Sequence, residues 1–229
     1  MDNQVVLITG ANGALGTFVT ATFLEAGAQV VGTSRRIDGK AFLHDRFEAI
    51  PADLTQQNDA NHLIADAVDK FGKIDAVVHT AGAFAGGGPI QETDDKVWEQ
   101  MIDANLRPAV NLLRALLPHM RQRERGRIVA IGSRAGVEPA AGISAYSASK
   151  AALVSLMKTA ALENRKSGIT ANVILPGTID TEANRRMDPK ADRSNWVTPQ
   201  KIAALALFLT SDEAAEITGA AIPVYGAGL

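Results

Sequence analysis

Short apolar runs alternate with helix-length segments along the whole chain, and this alternation restricts the fold more than any other feature. The runs are Val5-Val6-Leu7-Ile8, Gln29–Thr33, Phe47–Ile50, Ile74–His79, Arg127–Ile131, 169–175 and Ala220–Val224. Helical spacing fills 14–26, 56–71, about 94–120, about 143–166 and about 198–210. Gly27 and Gly72 stand where two of these helices should stop. Strands separated by helices of this length pair in parallel, each returning through a crossover. The runs are apolar almost throughout, as strands covered on both faces must be. No change of composition marks a linker. The pattern predicts one α/β domain over 1–229, doubly wound, with a seven-stranded parallel sheet and helices on both faces.

Of the 229 residues 46% are apolar, enough for a substantial core. The 23 basic and 25 acidic residues leave a net charge of −2, which gives no general attraction to nucleic acid or anionic membrane. Cysteine is absent, which excludes disulfides, thiolate chemistry and Cys-ligated zinc. The four histidines, His44, His62, His79 and His119, lack the spacing of a helical metal site. The opening residues MDNQVVLITG do not read as a signal peptide, and no run approaches the roughly 18 apolar residues of a membrane span. The expectation is a soluble, cytoplasmic protein without nucleic-acid, membrane or metal partners.

Ligands of doubly wound sheets bind outside the carboxyl ends of the strands. That places the chemistry near residues 9–16, 33–36, 53, 79–88, 132–134 and 176–181. The turn Thr9-Gly10-Ala11-Asn12-Gly13-Ala14-Leu15-Gly16 joins the first strand to the first helix. Glycines let the backbone approach a pyrophosphate, and the helix N-terminus presents N–H groups to it. This is the dinucleotide turn of a Rossmann-type domain. The second strand ends in Thr33-Ser34-Arg35-Arg36, where an acidic residue would hold the ribose diol of NAD. Guanidinium groups there suit a 2′-phosphate and favour NADP(H) over NAD(H). Asp53-Leu54, after the third strand, either meets the adenine amino group or caps the next helix.

Tyr146 and Lys150 stand at i and i+4 on one helix face. A nearby ammonium favours the phenolate and draws a tyrosine pKa down from about 10. Ser133, after the fifth strand, can meet Tyr146 at the sheet edge and hold a carbonyl oxygen. Trp196, Phe84 and Met187 fall in segments that should border a substrate. Arg134 reads as ion-paired or solvated, His79 as a hydrogen-bonded strand end, and the arginines of 121–127 as a solvated turn. The glycine-rich loop 82–91 is expected to be mobile.

The whole chain resembles the short-chain dehydrogenase/reductase family. The resemblance is carried by TGANGALG (9–16), Asp53-Leu54, His79-Thr80-Ala81-Gly82, Asn105-Leu106, Gly132-Ser133, Tyr146-x-x-x-Lys150 and Pro176-Gly177-Thr178-Ile179-Asp180-Thr181. It implies that Tyr146 is the general acid–base, that Lys150 lowers its pKa and holds the ribose, that Ser133 orients the carbonyl and that Asn105 supports a proton-relaying water. It also implies cofactor contacts from Gly10, Asn12, Gly13, Ala14, Leu15, Gly16, Ser34, Arg35, Arg36, Asp53, Leu54, Ala81, Gly82, Tyr146, Lys150, Pro176, Gly177, Ile179 and Thr181. Ala14 replaces the family's middle glycine, and His79-Thr80 replaces its two asparagines. A dimer or tetramer built on helices 94–120 and 143–166 is implied too, and Ala109, Leu112, Leu113, Leu116 and Leu117 are expected to supply surplus apolar surface for it.

Residues 180–196, the glycine pattern 10/13/16 and the stretch 81–87 are similar to dihydropteridine reductases, which implies a short substrate lid at about 180–197. The leading expectation is an NADP(H)-dependent oxidoreductase acting on CH–OH donors and small carbonyl or alcohol substrates. Reduction of a C=N bond in a quinonoid dihydropterin is the alternative within enzymes. A non-catalytic NADP-binding sensor or scaffold is the alternative outside them.

Overall fold

The computed structural model describes residues 1–227. Seven strands form one parallel sheet: β1 Val5–Thr9, β2 Gln29–Thr33, β3 Phe47–Ala49, β4 Ala76–His79, β5 Gly126–Ile131, β6 Ile169–Pro176 and β7 Ala221–Val224. Their order is β3-β2-β1-β4-β5-β6-β7, so chain direction across the sheet reverses between β1 and β4. The register pairs Thr9 with both Thr33 and His79, which brings the carboxyl ends of β1, β2 and β4 to one level.

Side chains alternate along the buried strands and sort into two cores. Val5 and Leu7 of β1 join the core under α2 (Gln57–Phe71), α4 (Arg107–Gln122) and α5 (Ser144–Asn164), with Leu63, Leu116 and Met157 among its members. Val6 and Ile8 join the opposite core under α1 (Gly16–Glu25) and α7 (Pro199–Leu209), with Phe23 and Ile202. The doubly wound Rossmann-type sheet expected from the alternation is the observed one.

Three local expectations are corrected. The predicted helix 94–120 is two helices, α3 (Asp95–Asn105) and α4, meeting at Leu106. Pro108 at the start of α4 has no N–H to donate to the preceding turn, and its ring opposes continuation. Helix α1 begins at Gly16 rather than Ala14, because residues 10–15 form the turn itself. Asp53 does not cap α2, whose N-cap is Gln56; its carboxylate accepts from the Thr55 N–H and hydroxyl at 3.0 and 2.8 Å. The apolar residues assigned to an interface are also otherwise used: Ala109, Leu112, Leu113 and Leu116 are buried core, with Leu117 packed against it.

Candidate active site

The turn after β1 is shaped by contacts only glycine tolerates. Gly10 has φ +68° and lies against the backbone of Ala81, where a Cβ would sit 3.0 Å from the Ala81 nitrogen. A Cβ on Gly16 would collide with the Gly10 carbonyl oxygen. Asn12, Gly13 and Ala14 face solvent at the turn's crest. The side chain of Asn12 donates to the Arg36 carbonyl at 2.6 Å, tying the crest to the end of β2.

Two hollows flank that crest. One, of about 440 Å³, is lined by Ser34, Arg35, Asp53, Leu54, Ala81 and Gly82 among others. The Ser34 hydroxyl is buried with no hydrogen-bond partner among the described residues. The other, of about 370 Å³, is bordered by Asn12, Arg36, Ile37, Asp38 and Ala41. Arg35 and Arg36 therefore serve different walls.

The second cluster lies at the carboxyl ends of β4 and β5. Ser133 follows β5, and its hydroxyl accepts from the Ala135 N–H at 3.2 Å. Tyr146 is in the first turn of α5, and Ser133 lies close enough to act on its phenol. Lys150, one turn further, is buried and donates to the Ile131 carbonyl at 2.9 Å. Asn105 ends α3 fully buried. Its carbonyl oxygen accepts from the Ala83 N–H at 2.9 Å, and its amide donates to Ser149 at 3.1 Å. Ser149 in turn donates to the Tyr146 carbonyl at 2.7 Å. A Cβ on Gly82 would stand 2.8 Å from the Asn105 oxygen and 3.2 Å from the Lys150 ammonium. The helix break at Leu106 delivers Asn105 to this position.

The electrostatics differ from the expected ones. Burial pushes the Tyr146 phenol above its ordinary value, and the Ser133 hydrogen bond opposes that shift. Lys150 is not among the causes that act on the phenol. Burial instead lowers Lys150 itself to about 8. His79, also fully buried, is lowered to about 3 by burial and by the charge of Lys150. Its Nδ1 pairs with the Thr9 hydroxyl at 2.8 Å, while Nε2 has no partner among the described residues. At neutral pH the cluster thus holds a protonated phenol, a neutral imidazole and an ammonium.

Ser133 and Tyr146 open onto a third hollow of about 620 Å³, walled by Phe84, Ile143, Asn184, Met187 and the turn 176–179. Phe84 meets the Tyr146 ring edge-on, with centroids 4.9 Å apart at 76°. Gly87 and Gly88 both donate to the Gly142 carbonyl, at 3.0 and 3.3 Å, so the 82–88 loop is tied to the start of α5. Arg134 is ion-paired with Glu138 at 2.7 Å and lies over the Tyr225 ring. The Thr181 hydroxyl caps the short helix α6 (Glu182–Met187), accepting from the Asn184 N–H at 3.3 Å. The excursion beyond residue 179 is closed at its base: Asp180 donates to the Val197 carbonyl and Val197 to that of Thr178, each at 2.8 Å.

Sequence reasoning missed Ser149 and the Ile131 carbonyl. Ser149 stands three residues after Tyr146, a spacing that allows its back-bond. The carbonyl leaves no trace in residue identity.

Fold and site together define a Rossmann-type α/β protein with hollows at the carboxyl ends of its strands, where strand order reverses. A family profile described as short chain dehydrogenase matches residues 4–192. The chain belongs to the short-chain dehydrogenase/reductase family and is an oxidoreductase of that family. It is 30% identical over 247 residues to the short-chain dehydrogenase/reductase olcF of Penicillium canescens, covering 98% of this chain and 96% of the relative. It is 31% identical over 237 residues to the 3-oxoacyl-(acyl-carrier-protein) reductase FabG of Salmonella typhimurium, covering 98% and 97%. The solved structure of ElxO with NADP bound superposes with a TM-score of 0.91 at 27% identity, covering 98% of this chain and 97% of that one. Among the described residues no helix is long and apolar enough to cross a membrane, and none of their His and acidic side chains group as a metal site.

Proposed function

We propose that the chain is an NADP(H)-dependent oxidoreductase that interconverts a carbonyl and its alcohol, with Tyr146 as general acid–base. The observation that carries this reading is that Ser133 and Tyr146 line one hollow, with the buried Lys150 one helical turn beyond Tyr146. The residues present fit the cofactor. Gly82 leaves the space beside Asn105 and Lys150 that a side chain would fill, and the buried Ser34 hydroxyl lacks a partner beside Arg35. Similarity to ElxO, whose structure holds NADP, and to a reductase named for a 3-oxoacyl carbonyl supports the same reading.

In this reading the turn 10–16 receives the pyrophosphate, with Asn12, Gly13, Ala14 and Leu15 at its crest. Ser34, Arg35 and Arg36 receive the 2′-phosphate. Asp53, Leu54, Ala81 and Gly82 flank the adenosine; Pro176, Gly177, Ile179 and Thr181 flank the nicotinamide. The bound nicotinamide supplies or accepts the hydride. Ser133 and Tyr146 share the substrate oxygen, and Tyr146 gives it a proton in reduction. At neutral pH the phenol carries the proton that this role requires it to give. Lys150 holds the ribose with its ammonium, and Asn105 braces the 82–83 loop through the Ala83 N–H.

A Ser133 hydroxyl lining the hollow with Tyr146 favours a carbonyl over a quinonoid pterin, in which no alkoxide develops. The test is NADPH oxidation against ketones, quinones, sugars and quinonoid dihydropterin; turnover of the pterin alone would replace the carbonyl reading. Association of copies is proposed through α4 and α5. Ala148, Ala151, Ser155 and Leu162 are exposed along α5, with Leu162 72% exposed. Light scattering at micromolar concentration checks it, and a monomer would refute it.

A further inference from the structure

Eight large apolar side chains are exposed among the described residues, and two of them, Phe84 and Met187, line the same hollow. Phe84 is 46% exposed and Met187 63%. They come from unrelated parts of the chain, the loop after β4 and the helix α6. Ile143, Pro139, Ala140 and Ile179 are among the other apolar residues of the lining. Leaving two such side chains in water costs the chain burial it could otherwise gain, so a ligand that covers them recovers that term.

The kind of ligand follows from the two side chains. An aromatic ring prefers edge-on or offset contact with another ring, and a thioether sulfur makes favourable contacts with ring edges. Phe84 already shows this preference in its edge-on contact with Tyr146. That contact fixes the Phe84 ring against the ring of Tyr146. The loop carrying it is fastened on both sides, by Asn105 to the Ala83 N–H and by the Gly142 carbonyl to Gly87 and Gly88. Phe84 is thus a placed surface. A group attached directly to the substrate's carbonyl carbon lies next to it.

We propose that Phe84 and Met187 are specificity-determining residues that select carbonyl compounds carrying a flat aromatic ring next to the carbonyl. The inference rests on the carbonyl-reductase reading and deepens it. Ser133 and Tyr146 take the oxygen, which every carbonyl substrate shares. Phe84 and Met187 take the substituent, which distinguishes one substrate from another.

The experiment compares acetophenone with an open-chain aliphatic methyl ketone of equal carbon number. Two readouts are taken: NADPH oxidation, and ligand-detected NMR binding to the NADP-saturated protein. The wild-type chain should favour the aromatic ketone in kcat/KM, mainly through KM. Phe84→Ala and Met187→Ala should each reduce that preference by roughly three- to tenfold. Phe84→Tyr should retain it. Two variants on separate elements guard against a misfolded protein, and unchanged NADPH affinity checks each. Turnover of both ketones without an aromatic preference would overturn the inference and leave the reductase reading standing. Selective binding of the aromatic ketone, lost in both alanine variants but without turnover, would uphold the inference and sink the reductase reading. Absence of both binding and turnover would overturn both.

Discussion

The ammonium of Lys150 donates to the carbonyl oxygen of Ile131 across 2.9 Å, from a buried helix position to the last residue of β5. The bond fastens α5 to the sheet at the level of Ser133. Its donor is also the group that the proposed function assigns to the cofactor ribose. With a pKa of about 8, Lys150 is charged in the folded protein below that pH and loses its charge above it. Because the folded value lies below the ordinary 10.5, stability rises with pH between about 8 and 10.5. NADPH affinity should hold steady up to about pH 8 and fall beyond it. Fluorescence titration across that range checks this, and a flat profile up to about pH 10 would detach Lys150 from the cofactor. Lys150→Met should bind weakly at every pH.

Tyr146→Phe removes one hydroxyl and leaves the ring against Phe84. Turnover should fall by about 10²–10⁴-fold, the usual contribution of a general acid. NADPH affinity should remain within a few-fold of wild type, since the turn and Arg35-Arg36 are untouched. Wild-type turnover in this variant would end the proposed mechanism.

Ser133→Ala should cost about 10²–10³-fold in rate on a ketone, the value of one donor to a developing oxyanion. It also removes the one interaction that opposes the upward shift of Tyr146. The alkaline limb of alcohol oxidation, which needs the phenolate, should therefore move to higher pH. A rate loss with no such movement would show that the two hydroxyls act separately.

His79 is neutral in the fold down to about pH 3, whereas an exposed histidine takes its proton near 6.5. Below about 6.5 the unfolded chain binds a proton that the folded chain refuses. Stability therefore falls with pH from about 6.5 towards 3, with a slope approaching 1.4 kcal/mol per pH unit from this residue. His79→Asn should flatten that slope in denaturant titrations at about pH 4.5 and pH 7. Equal slopes in both proteins would assign the acid sensitivity elsewhere.

Arg35 shares its hollow with Ser34 and Asp53, while Arg36 borders another. Arg35→Ala should weaken NADPH binding by about ten- to a hundredfold, the worth of one charge-assisted pair, and leave NADH almost unchanged. A parallel loss for both cofactors would mean that Arg35 supports the wall and does not read the phosphate.

The sheet was legible because its determinants are local: alternation, glycine stops and apolar runs. The glycine turn was legible too, since Gly10 and Gly16 are required by backbone contacts within the turn itself and with the neighbouring 80–81 strand end. The break at Leu106 was missed because the apolar periodicity runs across it, although Pro108 signals it. The phenol's upward shift was missed for a different reason. Tyr146 and Lys150 were paired by spacing, but burial of each and the pull of Ile131 on the ammonium arise only when α5 meets β5. Phe84 was recognisable as bordering a substrate; its contact with Tyr146 depends on the bonds to Gly142, which join residues over fifty positions apart.

The excursion 180–196 leaves and rejoins the body through bonds among Thr178, Asp180 and Val197. Such a pinched base makes a long excursion start and end at one place on the body. Doubling the length of a flexible loop costs only about 0.6 kcal/mol in closure entropy, so the sheet is expected to tolerate changes of length in the middle of the excursion. Variation confined to it is therefore expected to change the wall that Asn184 and Met187 give the hollow while the sheet folds as before.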